Sequence, residues 1–361
     1  MTAPTPQPGI LDIALYQSGK SAFEGVENPV KLSANENPWG ASPKAVEAIK
    51  AALPSLHRYP GTDHQILRDA IAEHHDLPAS QVICGVGSDE ILHLIAQAYA
   101  APGDEVVYTE HGFSVYPIVA KAAGATPVVA AEKDRVADVD SILRACSENT
   151  KIVYIANPNN PTGTMIGGNE MCRLAVGLPA GCLLVIDGAY AEFADGYDGG
   201  ASMVETHDNV MMTRTFSKLY GLGGLRVGWG YGPQDIIDVL NRIRGPFNLS
   251  NMQIQGAIAA LQDVEFTQQC LRDTLRLRAR LAADLAAIGI PSDPSNANFV
   301  LARFADEAEA EAAFNFVGKQ GFILRQVGGY GLPDCLRITV GDEASCAGVT
   351  QALRAFKEAQ S

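Results

Sequence analysis

Short apolar segments alternate with longer amphipathic ones over the first two-thirds of the chain. Segments 105–108, 151–156, 183–187 and 210–212 are rich in Val, Ile and Leu and end at polar or glycine-containing turns. Runs of this length and composition are typical of strands buried on both faces. Strands that alternate with helices predict an α/β fold with a mostly parallel sheet covered by helices on both faces.

Helix-start signals define the remaining elements of this part. Ser42 followed by Pro43 is typical of an N-cap and a first helical position, and Asp63 is a second candidate N-cap. The pattern predicts two more strands and six helices, namely strands at 82–84 and 127–129 and helices at 10–20, 43–53, 63–75, 91–100, 115–123 and 142–146.

The pattern changes near residue 250. Two long stretches of helical periodicity are followed by short strands and two further helices, namely helices at 250–261, 265–288, 307–319 and 344–359 and strands at 298–301, 322–324 and 336–340. We interpret this part as a smaller α+β domain on a long connecting helix. The predicted organisation is an N-terminal arm with part of the small domain over 1–35, a large domain over 36–250 and a small C-terminal domain over 251–361.

Composition and charge narrow the class of protein. The 361 residues are 47% hydrophobic and carry a net charge of −14. An acidic chain is a poor partner for nucleic acid or an anionic membrane, so anionic ligands must be drawn in by local arginines. The seven cysteines are scattered and contain no Cys-x-x-Cys pair, and no apolar run has the length of a signal peptide or a membrane span. We therefore predict a cytoplasmic protein without a metal site.

One segment, residues 210–228, concentrates chemically useful side chains. An apolar strand runs into Thr215 and Ser217, then Lys218, a glycine-rich loop and Arg226. Lysine becomes a nucleophile when it is desolvated or lies beside another cation, and hydroxyl groups with a guanidinium suit a phosphate. The alternative interpretation is an ordinary surface lysine in a loop.

A glycine-rich turn at 85–90 joins a predicted strand to a predicted helix. Free amides and the helix dipole converge at such a position, so the backbone of Ser88 and Asp89 is a candidate anion site. A turn of this kind is weak support by itself, and its value comes from agreement with the Lys218 segment.

Three further segments follow predicted strands. Asn160 lies in the Asn- and Pro-rich segment 157–163, which is also a plausible simple turn. Asp187 and Tyr190 follow the apolar run 183–186, where a carboxylate needs a cationic partner, although an N-cap or structural ion pair is the alternative. Phe113 belongs to an aromatic segment, 111–116, that suits either the core or a stacked ring.

Together these segments resemble a known family. Ser217-Lys218 followed by Gly-Leu-Arg-x-Gly resembles the pyridoxal-phosphate lysine motif of fold-type I aminotransferases. The whole chain is similar to the histidinol-phosphate aminotransferase family, from 16–20 and 32–38 to 335–341. Segment 110–116 departs from the Pro-Thr-Tyr-Ser that is common in the family and looks like a branch often linked to aromatic substrates as well.

The resemblance implies a pyridoxal-phosphate site. Lys218 would hold the cofactor and move a proton at the substrate carbon, and Asp187 would keep the pyridine nitrogen protonated. Asn160 and Tyr190 would bond the phenolate oxygen, and Phe113 would stack on the ring. The cofactor phosphate would be bound by Ser88, Asp89, Thr215, Ser217, Arg226 and, from a second subunit, Tyr59. Substrate recognition would fall to Tyr16, Asn35, Arg325 and Arg337.

The resemblance also implies an activity and an assembly. The expected enzyme is a homodimer that exchanges an amino group between histidinol phosphate and 2-oxoglutarate or glutamate, with phenylalanine and tyrosine as further candidate substrates. An aromatic amino acid aminotransferase and a threonine-phosphate decarboxylase are alternatives of the same fold. A non-catalytic binding protein is the alternative from another class, and the joint presence of Lys218, Asp187, Asn160 and Arg226 speaks against it.

Overall fold

A computed structural model describes residues 3–16 and 19–360 of the chain. Within them the strands are β1 Val30–Lys31, β2 Val82–Gly85, β3 Glu105–Thr109, β4 Thr126–Ala130, β5 Glu132–Lys133, β6 Val136–Ala137, β7 Thr150–Ala156, β8 Leu183–Asp187, β9 Val210–Thr215, β10 Gly228–Tyr231, β11 Phe299–Arg303, β12 Phe322–Ile323, β13 Arg325–Val327 and β14 Leu332–Thr339.

The α-helices of the described residues include all the predicted ones except that at 10–20, together with three between residues 168 and 243 for which no range was predicted. They are α1 Pro43–Ala52, α2 Gln65–His75, α3 Gly87–Tyr99, α4 Val115–Ala122, α5 Val139–Ala145, α6 Gly168–Gly177, α7 Ala201–Thr206, α8 Gln234–Ile243, α9 Asn251–Gln262, α10 Val264–Ala286, α11 Glu307–Lys319 and α12 Glu343–Gln360. Where the structure describes the chain, no helix has both the length and the apolar character needed to cross a membrane.

A seven-stranded sheet organises the larger part of the molecule. Its order is β2-β10-β9-β8-β7-β3-β4, and every pair is parallel except the two that involve β10. β8 and β9 are buried along their whole length, because helices cover both faces. The predicted mostly parallel α/β sheet is confirmed. β10 was not predicted, since its Gly-Trp-Gly-Tyr sequence is poor in β-branched residues.

The carboxyl ends of the central strands meet at one edge. Ala156 of β7 pairs with Asp187 of β8, and Asp187 pairs with Thr213 of β9. The segments that follow these strands therefore lie side by side, and they contain the candidate residues Asn160, Asp187 and Lys218. The parallel pairing of β7, β8 and β9 therefore brings candidate side chains from three distant parts of the sequence to one edge of the sheet.

A second, smaller core surrounds a three-stranded antiparallel sheet of order β11-β14-β13. Helices α10, α11 and α12 pack on it, and Leu32 from the N-terminal segment joins the same apolar cluster. β1 pairs in parallel with β12, which ties residues near 30 to residues near 322. Helix α9 packs instead with the cluster under the large sheet, through Ile254 and Ala257. The predicted domain bounds stay a prediction, and the packing of α9 favours a boundary closer to α10.

The predicted helix at 10–20 is wrong over the described residues. Only Ile10–Asp12 form a short 3-10 turn, residues 13–16 have no regular structure, and residues 17 and 18 lie outside the described part. Leu11 and Leu15 are 84% and 91% exposed. A short helix depends on packing of its apolar face, and these two leucines are exposed in the described part of the segment.

Candidate active site

A cavity of about 300 Å³ opens at the carboxyl edge of the large sheet, where the two cores meet. Fourteen of the fifteen predicted site residues line it, namely Tyr16, Asn35, Ser88, Asp89, Phe113, Asn160, Asp187, Tyr190, Thr215, Ser217, Lys218, Arg226, Arg325 and Arg337. Tyr59 lies elsewhere on the surface, is 80% exposed and packs its ring 4.4 Å from that of Phe247. Their individual roles stay predictions.

Lys218 follows β9 and extends into this cavity. Its Nζ lies 3.3 Å from the carbonyl oxygen of Ala34 and 5.6 Å from the centre of the Tyr190 ring. Burial, and then the charge of Arg337, lowers the pKa of Lys218 to about 8. A lysine with this pKa spends a larger fraction of its time as the free amine than an exposed lysine does, so it is suited to nucleophilic and proton-transfer chemistry.

Asp187 ends β8 and is almost fully buried. The hydroxyl of Tyr116 donates to its Oδ2 at 2.9 Å, and the backbone N–H of Ala189 donates to its Oδ1 at 3.2 Å. Burial raises the pKa of Asp187 to about 6 in spite of these hydrogen bonds. The Thr213 hydroxyl donates to Oδ1 at 3.5 Å as well, and all three donors are uncharged, so the carboxylate is only partly compensated. A cationic ligand atom placed against it would remove most of the burial penalty.

The start of α3 and the loop after Lys218 form a cradle. Arg226 donates to Ser217 Oγ at 3.3 Å and to Asp89 Oδ2 at 3.2 Å. A Cβ atom on Gly87 would lie 2.4 Å from the Arg226 guanidinium, and one on Gly228 would lie 2.2 Å from the backbone nitrogen of Ser88. Glycine at these two positions therefore permits the close approach that brings a helix N-terminus and a guanidinium together, which is an arrangement suited to phosphate.

Thr215 and Ser217 complete the cradle. Their hydroxyl oxygens are 3.0 Å apart, and the N–H of Ser217 donates to Thr215 Oγ1 at 3.1 Å. Arg226 itself has a left-handed backbone with φ of 60°. The side chain of Gln253 donates to the Arg226 carbonyl at 2.8 Å and thereby holds this unfavourable conformation.

Arg337 is the cation on the opposite side of the cavity. It is 5% exposed, donates to Asn160 Oδ1 and donates to the Ser33 carbonyl at 2.9 Å. Its Nε is buried and makes no hydrogen bond within the described residues. Arg325 pairs with it in register across β13 and β14. Burial lowers the pKa of Arg337, and the neighbouring charge of Arg325 lowers it further. Two guanidinium groups on adjacent strands favour an anionic ligand.

Asn35 connects the two halves of the site. Its Nδ2 donates to the Tyr190 hydroxyl at 2.8 Å, and its N–H donates to Thr339 Oγ1 at 3.0 Å. Its φ of 55° is again left-handed. Tyr190 is buried and follows β8, whereas Thr339 ends β14, so Asn35 bridges the large and small cores at the cavity.

Three aromatic residues complete the lining of the cavity. Phe113 is half-buried and packs edge-on against Tyr116, with ring centres 5.9 Å apart. Tyr16 is 54% exposed, on the irregular N-terminal segment. Tyr330, which was not predicted as a site residue, lies between β13 and β14 and also borders the cavity. Its neighbours Gly328, Gly329 and Gly331 mark a turn, and an isolated tyrosine in a turn was the available signal.

This combination of fold and lysine site defines a member of aminotransferase class I and II. The model of the family described as "Aminotransferase class I and II" matches residues 27–353. Among known proteins, the histidinol-phosphate aminotransferase of Ruegeria pomeroyi is 61% identical over 356 residues, with 99% of each chain covered. That of Cereibacter sphaeroides (strain KD131) is 60% identical over 352 residues, with 98% of each covered.

A solved structure agrees with these relatives. The histidinol-phosphate aminotransferase of Sinorhizobium meliloti, in complex with pyridoxal-5'-phosphate, superimposes with a TM-score of 0.91 at 26% identity and covers 100% of this chain and 99% of its own. The chain belongs to the histidinol-phosphate aminotransferase family. The predicted family, the fold-type I architecture and the prediction of an aminotransferase enzyme are confirmed.

Proposed function

We propose that this protein transfers an amino group between histidinol phosphate and 2-oxoglutarate in histidine biosynthesis, with pyridoxal 5'-phosphate as its cofactor. One observation carries the proposal. A lysine with a lowered pKa, a buried carboxylate with uncharged partners and a cradle of donors suited to phosphate converge on one cavity. The full-length similarity to histidinol-phosphate aminotransferases supports this choice among aminotransferase activities.

The residues present fit this cofactor. The cradle of Ser217, Arg226 and the α3 N-terminus would hold its phosphate, since glycine at positions 87 and 228 lets Arg226 and the Ser88 backbone nitrogen approach closely. Asp187 would face the ring nitrogen, which as a cation would compensate the buried carboxylate. When bound, the cofactor supplies an electron sink for the negative charge that develops at the substrate carbon.

The remaining chemistry belongs to the chain's own side chains. Lys218 would hold the cofactor and then, as a free amine, take and return the proton at the substrate carbon. A pKa of about 8 lets it serve in both directions near neutral pH. Asn160 and Tyr190 would orient the ring through its phenolate oxygen, and Phe113 would pack on its face.

The arginine pair would select the substrates. Arg337 would bind the α-carboxylate of glutamate and the phosphate region of histidinol phosphate, because both occupy one pocket in successive half-reactions. Arg325 would serve mainly the phosphate end, with Tyr16 and Asn35 at the border of the same pocket. Phenylalanine and tyrosine stay candidate donors on account of the 110–116 segment.

The assembly would be a homodimer with shared sites. Tyr59 lies outside the cavity of its own chain, which agrees with a residue that reaches the cofactor phosphate of a second subunit. The cytoplasmic location stays a prediction.

The proposal is tested with the purified, cofactor-loaded protein. We expect kcat/KM for histidinol phosphate with 2-oxoglutarate to exceed that for phenylalanine or tyrosine. Borohydride reduction followed by peptide mapping should find the cofactor on Lys218. Lys218→Ala should abolish turnover, whereas Lys50→Ala, at an exposed ion pair with Glu47, is the matched control and should not change it. A preference for phenylalanine or tyrosine would favour an aromatic aminotransferase, and cofactor on another lysine would overturn the proposed site.

A further inference from the structure

Tyr330 borders two cavities. It is 9% exposed and borders the active-site cavity on one side. On its other side lies a second cavity of about 710 Å³, between the N-terminal segment 12–16, the start of α4 and the β13 strand. Tyr330 borders both spaces, and so do Tyr16 and Arg325. Tyr330 is therefore one of three side chains that form the boundary between the two spaces.

The turn that carries Tyr330 has little conformational preference of its own. Gly328 and Gly329 precede it and Gly331 follows it, with a left-handed φ of 76° at Gly331. The pairing of β13 with β14 shifts register just before this turn. Glycines leave the backbone many accessible conformations, so contacts from outside the turn must fix it.

His111 supplies the main external contact. Its Nδ1 lies 2.7 Å from the Tyr330 carbonyl oxygen. A carbonyl can only accept, so Nδ1 carries the proton and donates. Ser114 Oγ lies 3.3 Å from the Tyr330 hydroxyl and provides a second, longer contact. Both residues belong to the loop between β3 and α4, so the large core holds a turn of the small core at two points.

His111 is itself firmly placed. It is buried, its N–H donates to Glu132 Oε1 at 3.2 Å, and its carbonyl accepts from Asn159 Nδ2 at 3.1 Å. It is not among the residues that line the active-site cavity. A buried imidazole with a fixed backbone and one donor aimed at a glycine-rich turn is well suited to hold that turn.

We propose that His111 is a positioning residue that holds Tyr330 as the wall between the two cavities, and that this wall limits the length of ligand the active site accepts. The inference rests on the proposed function only in taking the cavity around Lys218 as the substrate pocket. If the wall moves, the second cavity becomes an extension of that pocket, and ligands with longer side chains bind better relative to short ones.

The test uses unreactive carboxylates, so it does not depend on turnover of any donor. Dissociation constants of 3-phenylpropanoate, 4-phenylbutanoate and 5-phenylpentanoate are measured by calorimetry on the cofactor-loaded enzyme. His111→Leu removes the donor at similar size, and His111→Asn keeps an amide donor near the position of Nδ1. We expect His111→Leu to shift the preference toward 5-phenylpentanoate by roughly threefold to tenfold, the range that one hydrogen bond controls. His111→Asn should restore most of the original preference.

Two further variants separate positioning from general loss of structure. Tyr330→Ala should shift the preference in the same direction as His111→Leu, and the double variant should shift it no further, because both act on one wall. A preference unchanged within twofold in both single variants would overturn the inference, as would equal weakening of all three ligands without rescue by His111→Asn. Failure of the wild-type enzyme to use histidinol phosphate would instead count against the proposed function alone.

Discussion

Replacing Asp187 by Asn should stabilise the cofactor-free protein and destabilise the cofactor-loaded one. Asp187 is 4% exposed, and burial raises the pKa of its carboxyl group from 3.8 to about 6. The folded state thus holds this proton more tightly than the unfolded state. For such a group, stability is lost as the pH rises from about 4 to about 6, and the loss persists at higher pH. At neutral pH the cofactor-free protein carries this penalty in full.

The magnitude follows from the size of the pKa change. A rise of about two pKa units corresponds to about 3 kcal/mol at pH 8. Asn has no charge to bury, and the pKa of about 6 already includes the hydrogen bonds from Tyr116 and Ala189. The net gain is therefore about 3 kcal/mol. Unfolding entropy of about 2 cal/mol/K per residue converts this gain to an increase in Tm of about 4 °C for 361 residues.

The assay is thermal unfolding of both proteins, without and with saturating pyridoxal phosphate, at pH 8 and near pH 4. The advantage of Asp187→Asn should be present at pH 8 and vanish near pH 4, where the wild-type carboxyl group is largely protonated. With cofactor bound, the order should reverse, because the wild-type carboxylate gains a cationic partner that Asn cannot pair with. A cofactor-free variant that is less stable than wild type at both pH values would refute the argument.

Four other changes test separate parts of the molecule. Arg325→Ala should lower kcat/KM for histidinol phosphate roughly 10- to 150-fold but hardly affect phenylalanine, which has no terminal anion; equal losses in steady-state kinetics would contradict a phosphate-selective role. Tyr59→Phe should raise the cofactor Kd roughly tenfold in equilibrium dialysis, and a fully active monomer would argue against a shared site. Arg214→Met should lower the free energy of unfolding, measured with urea, by about 3–5 kcal/mol, because it leaves the buried carboxylate of Glu192, 2.9 Å away, unpaired. Adding Glu192→Gln should recover most of this loss. Burial lowers the pKa of His64 to about 4, so the wild-type protein should lose stability as the pH falls from 6.5 toward 4. His64→Asn tolerates the left-handed φ of 51° and should flatten that loss, and an unchanged slope in urea unfolding would show that other groups cause it.

The elements that were predicted correctly have clear local sequence patterns. β7, β8 and β9 are long apolar runs that end at polar residues, so their type and order follow from local sequence. Polar and titratable side chains directly after such strands lie at one edge of a parallel sheet. Lys218, Asp187 and Asn160 follow or end such strands, and all three line the cavity. The N-terminal segment was predicted wrongly, since 10–20 has helical spacing but Leu11 and Leu15 are exposed in the described part of it.

Most of the site contacts that were not predicted join residues far apart in the sequence. Tyr116 lies on the apolar face of α4, and an aromatic residue there is indistinguishable from core by its spacing. Only the folded register shows that its hydroxyl reaches Asp187, 71 residues further along the chain. The contact between Arg337 and Asn160 spans 177 residues and joins the two cores. In neither pair does the sequence around one residue indicate that the other is its partner.

The backbone conformation of two residues at the cavity was also not predictable from local sequence. Asn35 and Arg226 both adopt left-handed φ values, which cost about 1–3 kcal/mol for a strained non-glycine residue and are unexpected for an arginine. Gln253 holds Arg226 through its carbonyl. Asn35 is held from the small core by Thr339, and its own side chain reaches Tyr190 in the large core. Contacts with distant elements therefore hold both conformations in the folded chain. Local preference indicates where the site lies, and tertiary contacts that override local preference determine its geometry.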